Sequence, residues 1–573
     1  MSASDPAEQD LWIFRDGKKT AAGPDLVAEL RRLIAACDHD RSAMLDALIE
    51  AGELEAALAD DGCADAPSAA RITDALARAL YTGDLAAAKK GAAILNRIKV
   101  PETLNVSPPE GFTYYALHPL DFANVLTRIP DDPGKCAIIG IRSIGTTLSA
   151  VVLAALNAAG NPATRITVRP VGHPYSRSTE FSPEQLHWIQ QNLASQFLVV
   201  DEGPGRSGST FLSVAEALLR VGIPRSSITL IGSREPEVES LCARDGAARW
   251  QKFRYIATAP AVNGRYDRCT YVGSGNWRQH LLPHGEPWPE SWTQMERLKF
   301  LSPDEQRLYK FEGMGVIGAE ARSRAFALAD AGFGPAAADD GDGFLAYKLL
   351  RGARPRPESM STSLLDHMAD YCAFRYANFA GHTSVPTQLR DMLEFNISRE
   401  FGTTVSLPDD AFCTEHTVIA DGRMQPHEWI ATGLNQFVKI DGVDHGDNHF
   451  FPGPCDIAWD LAGIAVEWHL DDPAVEFLTQ RFRRLSGADV SASLLLYRLA
   501  YCVFRLGFCK MAISTVKGSS EEHRLAAAYD QYRAIAHSLL PTGRQSVQES
   551  SPRSSWNSLE PLKSPKRAFA PTP

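Results

Sequence analysis

The stretch FLVVDEGPGRSGSTF, residues Phe197–Phe211, sets four kinds of residue in an informative order. FLVV is a short uninterrupted apolar run, the mark of a strand buried on both faces. Asp201 and Glu202 stand at its carboxyl end. GPGRSGST follows, with glycines that let a backbone turn tightly and approach a ligand closely. STFLSVAEALLRVG then has helical spacing, so a helix begins near Ser209. The flanks repeat the theme. CAIIGI (136–141) reads as a buried strand, TLSAVVLAALNAAG as a helix ending at Gly160, and RITVRP as a strand. FSPEQLHWIQQNLA reads as a helix with Ser182 at its N-cap and Glu184 close behind, and SITLIGS as a further strand. Strands alternating with helices predict a parallel sheet with right-handed crossovers. Ligands of such sheets sit at the carboxyl ends of the strands.

This segment resembles the phosphoribosyltransferases, which place a buried strand, two acids and a small-residue loop ahead of a helix. The resemblance covers about 120 residues, Ala137 to Ala257, or more if GFTYYALHP is included. It implies a type I phosphoribosyltransferase-like domain. Asp201 and Glu202 would be the catalytic pair, facing ribose hydroxyls. Gly205, Arg206, Ser207, Gly208, Ser209 and Thr210 would hold the 5-phosphate through backbone N–H groups, hydroxyls and the helix N-terminus. The loop is one residue longer than the common form, and Ser207 stands where Thr is usual. IIGIRSIGTTL (138–148) matches the family's pyrophosphate loop, with Arg142, Ser143 and Gly145 as substrate contacts. A plain strand-to-helix turn is the alternative there. TVRPVGHPYSRSTE holds Arg169, His173 and Arg177 where the family has a hood, and arginines suit diphosphate. The implied chemistry is Mg²⁺-dependent phosphoribosyl transfer from PRPP or a ribose 5-phosphate compound.

Residues from about 293 onward resemble the small-molecule kinase and aminoglycoside phosphotransferase superfamily. RLKFLSPDEQRLYKFEG reads as a hairpin carrying Lys310, the lysine that would pair nucleotide phosphates. Glu320 opens the next helix as its prospective partner. Gly343–Gly352 resembles the hinge segment. Asp441 in FVKID follows a strand, where the family has its Mg²⁺-binding aspartate, and Asp460 in DIAWDLAG would brace the catalytic loop. The catalytic loop departs from the family. GRMQPHE puts Arg423 where the catalytic Asp should be and Glu428 where the Asn should be. Glu428 keeps the capacity to hold a metal beside Asp441, and Asp421 lies two residues upstream. The implied ligand is ATP, with a pseudokinase or an unusual kinase both open.

Two neighbouring motifs are read more cautiously. DHGDNH (444–449) would present His445, Asp447 and His449 on one face if it were an extended strand; a polar loop is the alternative. GMGVIG (313–318) lacks the full βαβ setting that a dinucleotide site needs.

The chain has 573 residues, too many for a single core. We expect a helical N-terminal extension over 1–100, a phosphoribosyltransferase-like domain over 101–285, a kinase-like domain over 290–540 and a disordered Ser/Pro-rich tail over 541–573. LPHGEPWPE (282–290) would be the linker. The net charge of -11 argues against a dedicated nucleic-acid binder. Ten scattered cysteines without a Cys-x-x-Cys pair argue against a zinc ribbon. The polar N-terminus predicts no secretory leader, and no apolar run is long enough to span a membrane. These features point to a cytoplasmic, bacterial, multidomain transferase with small-molecule substrates, in which homo-oligomerisation stays open. The leading expectation is a two-domain enzyme of phosphoribosyl transfer. The alternatives are an ATP-dependent small-molecule phosphotransferase and a non-catalytic nucleotide-sensing regulator.

Overall fold

The computed structural model describes residues 19–37, 41–129, 134–173, 175–205, 207–258, 264–381, 386–443, 445–447, 450–451 and 453–540. It is a mixed α/β protein. The tail over 541–573 and the side chains of Arg206 and His449 fall outside the described residues.

The first hundred residues do not stand apart as a cap. β1 (Lys19–Ala22) pairs antiparallel with β2 (Thr103–Val106), which ties the start of the chain to the end of the helical block. Between them run α1 (Gly23–Ala36), α2 (Arg41–Asp60), α3 (Ala66–Thr82) and α4 (Leu85–Leu95). α2 is rich in Ala and Leu on every side and is buried along most of its length. It shares one apolar core with α5 (Glu110–Tyr114) and with the parallel sheet. Arg165 of that sheet reaches back into the helices. Its buried guanidinium forms a bidentate pair with Glu55 of α2 and bonds Asp74 of α3.

The alternating segment folds as β3 (Cys136–Ile141), α6 (Ile144–Ala158), β4 (Ala163–Val168), the ribbon β5 (Val171–His173) and β6 (Ser176–Ser178), α7 (Pro183–Gln191), β7 (Gln196–Val200), α8 (Ser209–Arg220), β8 (Ile228–Gly232), α9 (Gly246–Trp250) and β9 (Arg254–Ala257). The strand order is β4-β3-β7-β8-β9, all parallel. Alternate residues enter opposite cores. Cys136 and Ile138 face the N-terminal helices, while Ala137, Ile139 and Ile141 face the layer containing α8. Two covered faces explain why β3 is apolar throughout. Ser182 caps α7 in a capping box with Gln185 rather than Glu184.

A second, antiparallel sheet follows the order β10-β11-β12-β14-β13: β10 (Thr270–Tyr271), β11 (Lys299–Leu301), β12 (Arg307–Phe311), β13 (Ala337–Gly341) and β14 (Phe344–Lys348). The expected hairpin is β11–β12, with Lys299 opposite Lys310. The sheet begins before the expected linker, and Phe311, Met314 and Phe344 complete the core of the N-terminal block. The segment 282–290 is therefore no free tether. After α10 (Trp277–Leu281) it is anchored on the C-terminal helices: Arg278 donates to the Pro289 carbonyl and pairs with Glu521, and Arg505 pairs with Glu290. α11 (Gly315–Asp330) links β12 to β13.

The last block consists of α12 (Thr362–Asn378), α13 (Pro386–Phe401), the ribbon β15 (Trp429–Gly433) and β16 (Gln436–Lys439), α14 (Ala458–Glu467), α15 (Asp472–Ser486), α16 (Leu494–Thr515) and α17 (Ser520–Leu539), around a core that also takes in Trp292, one face of α11, and Leu345 and Tyr347 of β14. Among the described residues no helix is long and apolar enough to cross a membrane.

Candidate functional site

Two places gather the chemistry. The first is the carboxyl edge of the parallel sheet. In the order β4-β3-β7-β8-β9 the crossovers diverge between β3 and β7, which opens a crevice there. The turn after β3 holds Ser143 at φ 92°, a left-handed conformation that a serine adopts only under constraint. Gly145 packs so closely on the Val200 carbonyl that a Cβ would lie 2.5 Å from it, so glycine is needed where the two loops meet. Asp201 and Glu202 follow β7. The Glu202 N–H donates to the Asp201 carboxylate at 2.8 Å. Burial, and then the neighbouring Glu202 carboxylate, push Asp201 up to about 8. Burial and Glu110 push Glu202 up to about 7. Gly208 at φ 67° caps α8. Ser207 accepts from the Ser209 N–H, and Ser207 and Ser209 are buried while Thr210 is partly exposed. Gly205 forms the exposed tip of the loop.

The arginines expected at this edge are engaged internally. Arg142 and Arg169 both pair with Asp60 at the end of α2, and Arg169 also donates to the Arg142 carbonyl. Arg177 donates to the Gly172 carbonyl across the β5–β6 ribbon.

The second place is a cleft of about 410 Å³ between the antiparallel sheet and the helical block. Tyr347–Gly352, the second half of the expected hinge Gly343–Gly352, runs along its wall. Leu308, Tyr347, Leu350, Ile430 and Ile440 give it an apolar slot. At its polar end Lys310 donates to Asp441 at 2.7 Å and lies 3.2 Å from Glu312. Burial alone would raise the Asp441 carboxyl, but Lys310, His445 and Lys299 hold it well below the usual range. Glu320 lies in the second turn of α11.

The loop 421–428 is braced from below. The Asp460 carboxylate accepts from the N–H groups of Asp421 and Gly422 at 2.8 and 3.0 Å, with the buried Arg375 guanidinium 3.5 Å away. Asp421 is fully buried. It accepts from Tyr371 at 2.5 Å and lies 3.3 Å from Lys439. Burial would raise its carboxyl, but Lys439, His445 and Arg375 bring it down to about 2. Gly422, Arg423, His427 and Glu428 reach the cleft. Burial, and the cations Arg423, Lys439 and Arg354, depress His427 to about 3, so the ring is neutral; it stacks on Trp277.

Asp421, Glu428 and His445 bring one ligand atom each within 4.8 Å of one another, a spacing that suits a metal ion. The Lys439 ammonium lies among them, 2.7 Å from Glu428, and also donates to the Asp441 carbonyl. A divalent ion at that trio would have to displace a buried lysine. Asp441 fits better, because among the described residues its second oxygen faces His445 and Lys299 at 3.8 and 3.9 Å, beyond hydrogen-bond distance. His445–Asp447 is a 3₁₀ turn rather than an extended strand, and the rest of the 444–449 motif, His449 included, lies outside the described residues. The glycine-rich segment 313–318 is closed to phosphate as well: Asp46 and Glu50 of α2 accept from the N–H groups of Gly315 and Val316 at the start of α11.

Sequence reasoning passed over Lys439, Arg354, Arg505 and Glu290. Only Lys439 left a local sign, two residues before Asp441 in FVKID. Tyr114 and Tyr115 also line the cleft, while Gly111, on the same short helix, lies against the Glu202 carboxylate.

No protein-family model matches the chain, and no curated protein matches its sequence. Among solved structures it is similar to a choline/ethanolamine kinase family protein from Mesorhizobium loti, at 14% identity over 42% of this chain and 84% of that one, TM-score 0.30. It is similar to choline kinase LicA from Streptococcus pneumoniae, at 13% identity over 42% and 89%, TM-score 0.30. A third likeness is to aminoglycoside 2'-phosphotransferase-IIIa, solved with GDP, at 11% identity over 45% and 92%, TM-score 0.29.

Proposed function

We propose that the cleft binds a nucleoside triphosphate and that the protein is an ATP-dependent small-molecule phosphotransferase. The observation that carries this reading is the Lys310–Asp441 pair at the polar end of an apolar slot. The slot suits a nucleobase, Lys310 and Lys299 suit phosphate oxygens, and Asp441 would hold Mg²⁺. The metal, when bound, neutralises phosphate charge. In the transfer the bond from the γ-phosphorus to its bridging oxygen breaks and a bond to an acceptor oxygen forms, with the acceptor proton passing to water. The chain's own part is positioning. Lys310 orients the phosphates, Asp460 fixes the backbone of the loop, and the hinge and Ile440 exclude water from the slot. Arg423 stays protonated at any working pH, so it accepts no proton.

The test is calorimetric ATP binding with and without Mg²⁺, beside a phosphoryl-transfer assay on the same sample. Mg²⁺-dependent binding that is lost in Lys310→Ala is expected. A wild-type chain that binds no nucleotide would end this reading.

A second reading concerns the other site. Two carboxyl groups raised toward neutrality, at a switch point beside the N-terminus of α8, favour a ribose 5-phosphate-type ligand such as PRPP held with Mg²⁺. Its test is PRPP binding by calorimetry in wild type and in Asp201→Asn/Glu202→Gln. Equal affinity in the two would remove the assignment.

A further inference from the structure

We infer that the acceptor taken by the cleft is an anion, a small molecule bearing a phosphate or a carboxylate, recognised by Arg354 and Arg423. This rests on the phosphotransferase reading and names the substrate class of that site.

Eight lysine and arginine side chains line the cleft against four carboxylates. Each of the four is already bound to donors. Asp441 accepts from Lys310, and Glu428 from Lys439. Glu290 accepts from Arg505 and Gln425. Glu296 accepts from the Gly275 N–H, Trp277 and Ser291. A cationic acceptor would therefore meet twice as many fixed cations as carboxylates, and each carboxylate already shares its charge with donors. One aromatic face of the cleft is already taken by cations: the Arg423 and Arg505 guanidiniums lie 5.8 and 4.8 Å from the centre of the Phe508 ring.

The arginines are the complement of this picture. Arg354 donates to two backbone carbonyls, those of His427 and Leu281, and burial disfavours its charge. A carbonyl satisfies a guanidinium's N–H without cancelling its charge, and the carboxylate that bears on Arg354, Glu286, is shared with Arg356 at 3.4 Å. Arg423 has Glu428 at 3.6 Å, beyond a good hydrogen bond, and Lys439 holds that carboxylate at 2.7 Å. Arg354 bonds the backbone carbonyl of His427, and both guanidiniums act electrostatically on the neutral His427 ring. Two planar guanidiniums beside a neutral imidazole and phenylalanine rings form a bidentate anion site. Lys310 and Lys299, around Asp441, are left for the nucleotide.

The experiment uses the full chain saturated with AMP-PNP and Mg²⁺, titrated calorimetrically with glycerol 3-phosphate, glycerol and choline. Glycerol 3-phosphate alone should bind. Arg423→Gln and Arg354→Gln should each weaken it about tenfold, the loss expected for one charged hydrogen bond, while AMP-PNP affinity stays within about twofold. Arg533→Gln, an exposed arginine of α17 outside both sites, should leave it unchanged, which separates the cleft arginines from a general loss of positive charge. The inference is overturned if choline binds as well as glycerol 3-phosphate, if glycerol 3-phosphate does not bind, or if neither arginine variant weakens it. Failure of AMP-PNP to bind, with glycerol 3-phosphate still bound in an arginine-dependent way, would overturn the phosphotransferase reading and leave the anion site standing.

Discussion

The two sites treat buried carboxylates in opposite ways. At the edge of the parallel sheet, Asp201 and Glu202 are partly buried beside another acid, and both are pushed up, to about 8 and 7. Around the cleft, Asp421 is fully buried and Asp441 partly so, yet both are held down by lysines at 2.7–3.3 Å. Burial disfavours a carboxylate in both places, so the neighbouring cation decides the sign. An acid with its own ammonium stays ionised, ready to meet a cation. An acid kept near neutrality is poised to lose its proton to a ligand that brings positive charge or hydroxyl donors. The contrast also explains why the short helix Glu110–Tyr114 matters: Glu110 bears on Glu202 from one side, and Tyr114 lines the cleft on the other.

Breaking the cleft's internal pairing should have the largest effect. Lys439→Met leaves Asp421 and Glu428 buried without their ammonium. Removing one partner of a buried pair costs about 3–5 kcal/mol, to be read from chemical denaturation of the full chain. A loss under about 1 kcal/mol would mean that the two carboxylates repack without it.

Next comes the ligand side of the same network. Lys310→Ala should weaken ATP binding by about 1.5–3 kcal/mol, the range for a charge-assisted hydrogen bond. Calorimetry measures it, and an unchanged affinity would detach Lys310 from the nucleotide.

The parallel-sheet edge should show itself as a pH dependence. Carboxyls raised in the folded state hold protons that the unfolded chain has released, so the native state binds more protons between the unfolded and folded values. Stability therefore falls as pH rises from about 5 through 7 and 8. Each group adds at most about 1.4 kcal/mol per pH unit. Asp201→Asn/Glu202→Gln should flatten the slope in denaturation curves taken from pH 5 to 9. A double mutant with the wild-type slope would assign the dependence elsewhere.

The smallest effect is expected at Asp60, which is partly exposed. Asp60→Asn frees Arg142 and Arg169 and should change stability by about 0–1 kcal/mol, as for surface pairs. If the loop after β3 meets phosphate, the same change should tighten pyrophosphate binding. Weaker binding would mean that Asp60 holds the arginines in the useful position.

Much of the fold was legible because it is local. Uninterrupted apolar runs marked β3, β7 and β8, period-3.6 spacing marked α6 and α8, and the acids after FLVV marked the edge of the sheet. The hairpin carrying Lys310 and the strand end before Asp441 were legible for the same reason. The domain limits were not. The helices before residue 100 finish the core of the parallel sheet, and the Pro/Gly-rich 282–290 is pinned to α16 and α17, because apolar faces and charged groups pair with whatever the fold brings near.

What the chain alone determined is thus the identity of each element and the chemistry offered at its ends. What tertiary structure decided is the company of each charge. Asp60 with Arg169, Glu290 with Arg505, and Lys439 with Asp421 and Glu428 are separated by 109, 215, 18 and 11 positions. Sequence periodicity carries no information across such gaps. Whether a buried acid ends as a neutral group awaiting a ligand or as half of an ion pair depends on a few ångströms of packing between distant segments.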